Sequence, residues 1–108
     1  MDEAAARAMV AEFLATLPTR GKDRWVTSRV EDYGDFWLVC WTTSRALPPR
    51  NLEVHMTGNY PVGVRKSDGL ARFWTLLFPL EEFAERLRAR PETLPPFPEA
   101  WVASDPDQ

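Results

Sequence analysis

The sequence predicts an α+β fold: a small antiparallel sheet of three to five strands, with an N-terminal helix and a C-terminal helix packed mainly on one face. Three observations carry this expectation. A segment of helical period opens the chain, strand-like segments joined by turn residues fill its middle, and a second helical segment follows near residue 80. With 108 residues, 44% of them hydrophobic and 12% aromatic, the chain has the size and composition of one folded domain. The expected division is a single α+β domain over 1–90 and a Pro-rich extended arm over 91–108.

The first helix is expected over Asp2 to Leu17. Ala6, Met9 or Val10, Phe13, Leu14 and Leu17 recur at steps of three and four, while Glu3, Arg7 and Glu12 fall off that stripe. Pro18 and Gly21 then end it. Next come "RWVTSRVE" and "FWLVCWTTS", rich in β-branched and aromatic residues and linked by "DYGD", which reads as an antiparallel hairpin. The second of these is apolar on both faces, with Phe36, Leu38 and Cys40 on one and Trp37, Val39 and Trp41 on the other. A strand of that kind belongs in the middle of a sheet. "RALPPRN" is loop-like, and "LEVHM" is read as a short strand or an extended lead-in.

The stretch "GNYPVGVRKSDG", residues 58 to 69, is read as one half of a second hairpin. With Asp68 and Gly69 as the central pair of a type I′ turn, Val64 is expected opposite Phe73, Gly63 opposite Trp74 and Arg65 opposite Arg72. One face then carries Val62, Val64, Ala71 and Phe73, and a slip by one residue would mix the faces. "PLEEFAERLRAR" follows as the second helix, with Leu80, Phe83, Ala84 and Leu87 on its buried stripe and Glu82 spaced to pair with Arg86. In the arm, Phe97 and Trp101 are the residues expected to tack the chain to the body.

The mild formal charge of −3 argues against a nucleic-acid binder, which shows a basic stripe, and for tolerance of a basic partner. The opening "DEAAARAMVAEFL" lacks the basic start and unbroken apolar run of a secretory signal, and no stretch is apolar for the length of a membrane span. Cys40 is the only cysteine, so no internal disulfide forms and a cytoplasmic location is expected.

Candidate chemistry is sparse. A Cys–His pair would need Cys40 beside the only histidine, His55, yet Cys40 sits in a strand that reads as buried and inert. Ser28, Ser44 and Ser67 lack the glycine-flanked elbow that exposes a nucleophile. Glu31 and Asp32 read as a solvated turn, Glu81 and Glu82 as a helix first turn. Gly58 and Gly63 have the spacing of a Walker loop, but Val64 and Arg65 replace its Lys and Ser/Thr, and a strand follows. No catalytic group, cofactor or metal is therefore expected.

The five tryptophans are more informative. Trp74 beside Arg65 and Arg72 would form a Trp/Arg patch on the sheet face away from the helices, and these residue types dominate protein interfaces. The expected protein-binding residues are Trp37, Trp41, Arg65, Arg72 and Trp74, with Glu31, Asp32 and Asp35 as acidic loop contacts.

Three segments resemble the YrhB-like domain family, immunity protein 35 of bacterial polymorphic-toxin systems. They are the "AxxxAxxAxFL" helix (Ala4, Ala8, Ala11 to Leu14), "FWLVCWTTSR" at 36–45, and "TGNYPVGVRKSDG" at 57–69. The resemblance covers roughly residues 1 to 75. It departs at Arg65, where family members commonly carry an acidic residue before the turn lysine. It implies a cytoplasmic, non-catalytic α+β protein that binds and neutralises a cognate toxin domain, with a homodimer left open. The alternative is a chaperone-like or regulatory module that binds peptides along a strand edge.

Overall fold

The computed structural model describes residues 1–17, 24–43 and 60–98. "LEVHM", His55, Ser44 and Trp101 lie outside the described residues. The elements in order are helix α1 (Glu3–Leu14), strands β1 (Trp25–Asp32), β2 (Phe36–Thr43), β3 (Val62–Arg65) and β4 (Ala71–Phe73), helix α2 (Leu80–Ala89), and a short 3₁₀ turn, Pro91–Thr93. The four strands form one antiparallel sheet in the order β1-β2-β3-β4, which bears out the α+β class.

Asp2 caps α1, its carboxylate accepting from the Ala5 amide at 2.8 Å. The alanine-rich stripe then buries Ala6, Val10 and Leu14 against Val39, Trp41, Val62, Val64, Ala71 and Phe73. That set is one face of the sheet. The other face carries Phe36 and Leu38, and it packs on Phe83 and Leu87 of α2 together with Leu94. The two helices therefore lie on opposite faces, a correction to the expectation that both cover mainly one. The reason is visible in β2, whose two apolar faces each need a cover.

Gly63 decides how closely α2 approaches. A Cβ built there would meet Phe83 Cε2 and Cζ at 2.6 Å and Leu87 Cδ2 at 3.1 Å. The absent side chain is thus occupied by the α2 ring, not by Trp74.

The second hairpin keeps its expected core face but shifts its register by two residues. Val62 pairs with Phe73, Gly63 with Arg72 and Val64 with Ala71. The turn is longer than a two-residue type I′ connection: the Arg65 amide donates to Leu70 O at 2.8 Å and the Gly69 amide to Arg65 O at 2.7 Å. Gly69, at φ 76°, supplies the left-handed step that closes it. A shift by two preserves side-chain parity, which is why the buried face was legible although the pairing was not.

Past the 3₁₀ turn, residues 95–97 run along the outer edge of β4. Phe73 N donates to Pro95 O at 2.9 Å, Phe97 N donates to Ala71 O at 3.3 Å, and Phe97 buries its ring against Phe13 and Phe73. This edge is covered by the chain itself.

Candidate protein-binding surface

Antiparallel pairing brings the β1–β2 turn and the β3–β4 turn to the same end of the sheet, because Phe36 and Arg65 are direct partners. The Lys66 amide donates to Asp35 O at 2.9 Å, so the two tips are tied backbone to backbone. Each tip is also closed by an aspartate. Asp32 Oδ1 accepts from the Gly34 amide at 2.8 Å, and Asp68 Oδ1 from the Leu70 amide at 3.0 Å.

Three ion pairs span this end. Lys66 Nζ lies 2.7 Å from Asp32 Oδ1, Arg88 NH1 lies 3.1 Å from Asp35 Oδ2, and Arg65 holds both oxygens of Asp68 at 2.6 and 3.0 Å. Two of the pairs share a polarity, while Arg88 and Asp35 are about equally exposed, at 59% and 62%. Arg65 and Lys66 are 23% and 27% exposed, against 49% and 56% for Asp68 and Asp32. Behind them the cations have further attachments: Arg65 also donates to Leu87 O at 3.0 Å, and the Lys66 ammonium sits over the Trp37 ring at 4.1 Å. In these two pairs the carboxylates point outward and the cations buttress them.

The same geometry fixes the electrostatics. The Arg65 guanidinium beside Asp68, with the Leu70 amide, lowers the Asp68 carboxyl to about 2. Lys66 and then the Gly34 amide hold Asp32 below its ordinary value. Asp68 in turn raises Arg65. Tyr33, exposed at the tip, stacks on Phe36 and donates to Glu31 Oε1 at 3.0 Å; partial burial and then that bond push its hydroxyl up. Between the tips and α2 lies a cleft of about 530 Å³ lined by Asp35, Phe36, Arg65, Ser67, Leu87 and Arg88, among others.

Of the residues expected to bind a partner, Asp32, Asp35, Glu31 and Arg65 come together here, with Trp37 behind them. The rest do not. Trp41 is 1% exposed and lies on the α1 face, its Nε1 donating to Tyr60 O at 2.8 Å. Arg72 is half-buried under the 3₁₀ turn and donates to Pro91 O at 3.0 Å. Trp74 stacks on Phe83 and donates to Phe78 O at 3.0 Å. The Trp/Arg face is thus the seat of α2 and the 3₁₀ turn. The paired arginines expected across the hairpin also separate, since Arg65 now neighbours Leu70 and Arg72 pairs with Gly63.

Asp68, Arg88 and Tyr33 were missed as members of this surface. In the sequence Asp68 reads as turn chemistry alone, although an Arg three residues before an Asp in a turn is itself a signal for an ion pair. Cys40, half-buried with its thiol pushed up mainly by burial, fits the inert reading. Among the described residues no cluster of three or more metal-binding side chains occurs, and no helix is long and apolar enough to cross a membrane. In comparisons with known proteins, no family model, curated protein or solved structure matches the chain.

Proposed function

We propose that the chain is a non-catalytic protein-binding module of the immunity type, which neutralises a cognate bacterial toxin domain in the cytoplasm by docking on a basic face of it. The observation that carries this reading is the row of outward carboxylates, Asp32, Asp35 and Asp68, each held in place by a cation. Side chains fixed before binding lose little entropy on binding, and outward carboxylates complement basic groups on a partner. Tyr33 at the tip adds an aromatic contact of the kind enriched in interfaces. The likeness of three sequence segments to the YrhB-like family supports the same class of partner.

The test is titration of the full chain with purified products of the adjacent genes. One of them forms a stoichiometric complex whose affinity falls with salt, and reversing Asp32 and Asp35 together to Lys weakens it roughly 10- to 100-fold. Indiscriminate binding of unfolded polypeptides, unaffected by those substitutions, would replace this reading with the chaperone-like one.

A further inference from the structure

At the end of the sheet away from the hairpin tips, residues 74–79 connect β4 to α2. Three features of this turn go unexplained by the core or by turn chemistry. Leu77 is 86% exposed and Leu76 is 48% exposed, the two most exposed of the large hydrophobic residues described. Leu76 also adopts φ 67°, the left-handed region in which glycine or asparagine would sit with little strain. Packing of a half-exposed side chain offers little to offset that strain.

The turn is nevertheless held firmly at its base. Trp74 Nε1 donates to Phe78 O at 3.0 Å, the Trp74 amide donates to Pro61 O at 2.9 Å, and the Arg86 guanidinium lies over the Phe78 ring at 4.5 Å. The indole of Trp74 stacks on Phe83, which is fully buried. A left-handed apex on a pinned base thus turns Leu77 out to solvent.

Arg86, over Phe78, is taken up by Glu82, and the exposed charges beside the turn that make no ion pair among the described residues are acidic. Glu81 and Glu85 are exposed one helical turn apart on α2, and neither makes an ion pair among the described residues, whereas Glu82 is paired with Arg86. We infer that the 74–79 turn is an apolar anchor that seats Leu77 in a socket on a protein partner, and that the rim of this socket is basic. The inference rests on the protein-binding reading above and adds to it a second contact and the chemistry of the surface that receives it. A second copy of this chain fits less well. Two such turns meeting would bring Glu81 and Glu85 towards their own like charges on a chain that is already net negative.

The experiment compares the full chain with Leu77→Asp, Leu76→Gly, Glu81→Lys and, as a control at the other end, Asp35→Lys. Each is titrated against the adjacent-gene product that binds the unaltered chain. Leu77→Asp is expected to weaken binding by roughly 100-fold with an unchanged thermal midpoint. Glu81→Lys should weaken it by a few-fold and reduce its salt dependence. Leu76→Gly should weaken it while raising or preserving thermal stability, a combination that a merely structural role would not give. Binding that is lost in Asp35→Lys but intact in Leu77→Asp overturns the anchor and leaves the proposed function standing. Self-association of the unaltered chain that disappears in Leu77→Asp overturns it in favour of a second copy.

If no adjacent product binds, the proposed function fails and the anchor is decided separately. Methyl NMR of the full chain is then recorded with neutral β-cyclodextrin and with its per-aminated form, an apolar cavity with a cationic rim. Leu77 methyl shifts that saturate several-fold earlier with the aminated form support the anchor; silent Leu77 methyls, or equal binding of both forms, overturn it.

Discussion

The two ends of the sheet handle exposure in opposite ways. At the hairpin tips, the backbone steps that need positive φ are taken by glycines, Gly34 at 86° and Gly69 at 76°, and the exposed carboxylates Asp32, Asp35 and Asp68 are each paired with a cation. At the far end, the positive φ falls on Leu76, and the most exposed side chain is Leu77. One end thus follows turn chemistry and the other breaks it. A left-handed leucine costs roughly 1–2 kcal/mol. The contrast therefore separates a surface shaped by folding from one that carries a cost folding does not require.

The largest effect on this comparison comes from the frame that both ends share. α2 reaches the tips through Leu87 O, bound by Arg65, and reaches the far end through Phe83, stacked on Trp74. Phe83 is fully buried, so Phe83→Ala should destabilise the fold by roughly 3–5 kcal/mol in denaturant titration. Gly63→Ala attacks the same contact from the sheet side and should cost roughly 1–3 kcal/mol. Equal stability of Gly63→Ala and the parent would mean that α2 does not sit as closely as 2.6 Å implies.

A smaller and sharper contrast is one of sign. Gly69→Ala places a side chain at φ 76° with the Met1 Cε methyl 2.9 Å from its Cβ, and it should destabilise by about 1 kcal/mol. Leu76→Gly should be neutral or stabilising by up to about 1 kcal/mol, since relief of left-handed strain outweighs the entropy that glycine adds to the unfolded chain. Both are read from the same denaturant midpoints. Destabilisation of similar size at both sites would erase the distinction between the ends.

The smallest expected effect is electrostatic. The Asp68 carboxyl should titrate near 2 by NMR, and Arg65→Met should return it towards the ordinary carboxylate range. Because the folded-state value is depressed, its contribution to stability is present above the unfolded value and is lost as pH falls towards about 2. At neutral pH the pair should show little pH dependence of stability.

These ends also mark how far the sequence could be read. The two-sided apolar pattern of Phe36 to Trp41 was enough to place β2 centrally, and the stripes of α1 and α2 identified Val10, Phe83 and Leu87 as core. What each stripe could not encode is which face of the sheet receives it. That choice is made by Gly63, whose missing side chain is the only local trace of α2, and it turned the expected Trp/Arg surface inward. The turn register was missed for a related reason. Asp-Gly suits a two-residue turn, but here Asp68 spends its carboxylate on Arg65 and the Leu70 amide, which needs the longer loop. Nothing in "WTLLFP" announces a left-handed leucine.

The hairpin tips, with Asp32, Asp35 and Asp68 outward, are proposed as the docking surface for a basic protein partner. Hydrogen exchange of the chain alone and in its complex tests this most directly. Slowed exchange at amides 33–35 and 66–69 on complex formation is the expected result. Unchanged exchange at both tips in a complex of full stoichiometry would contradict it.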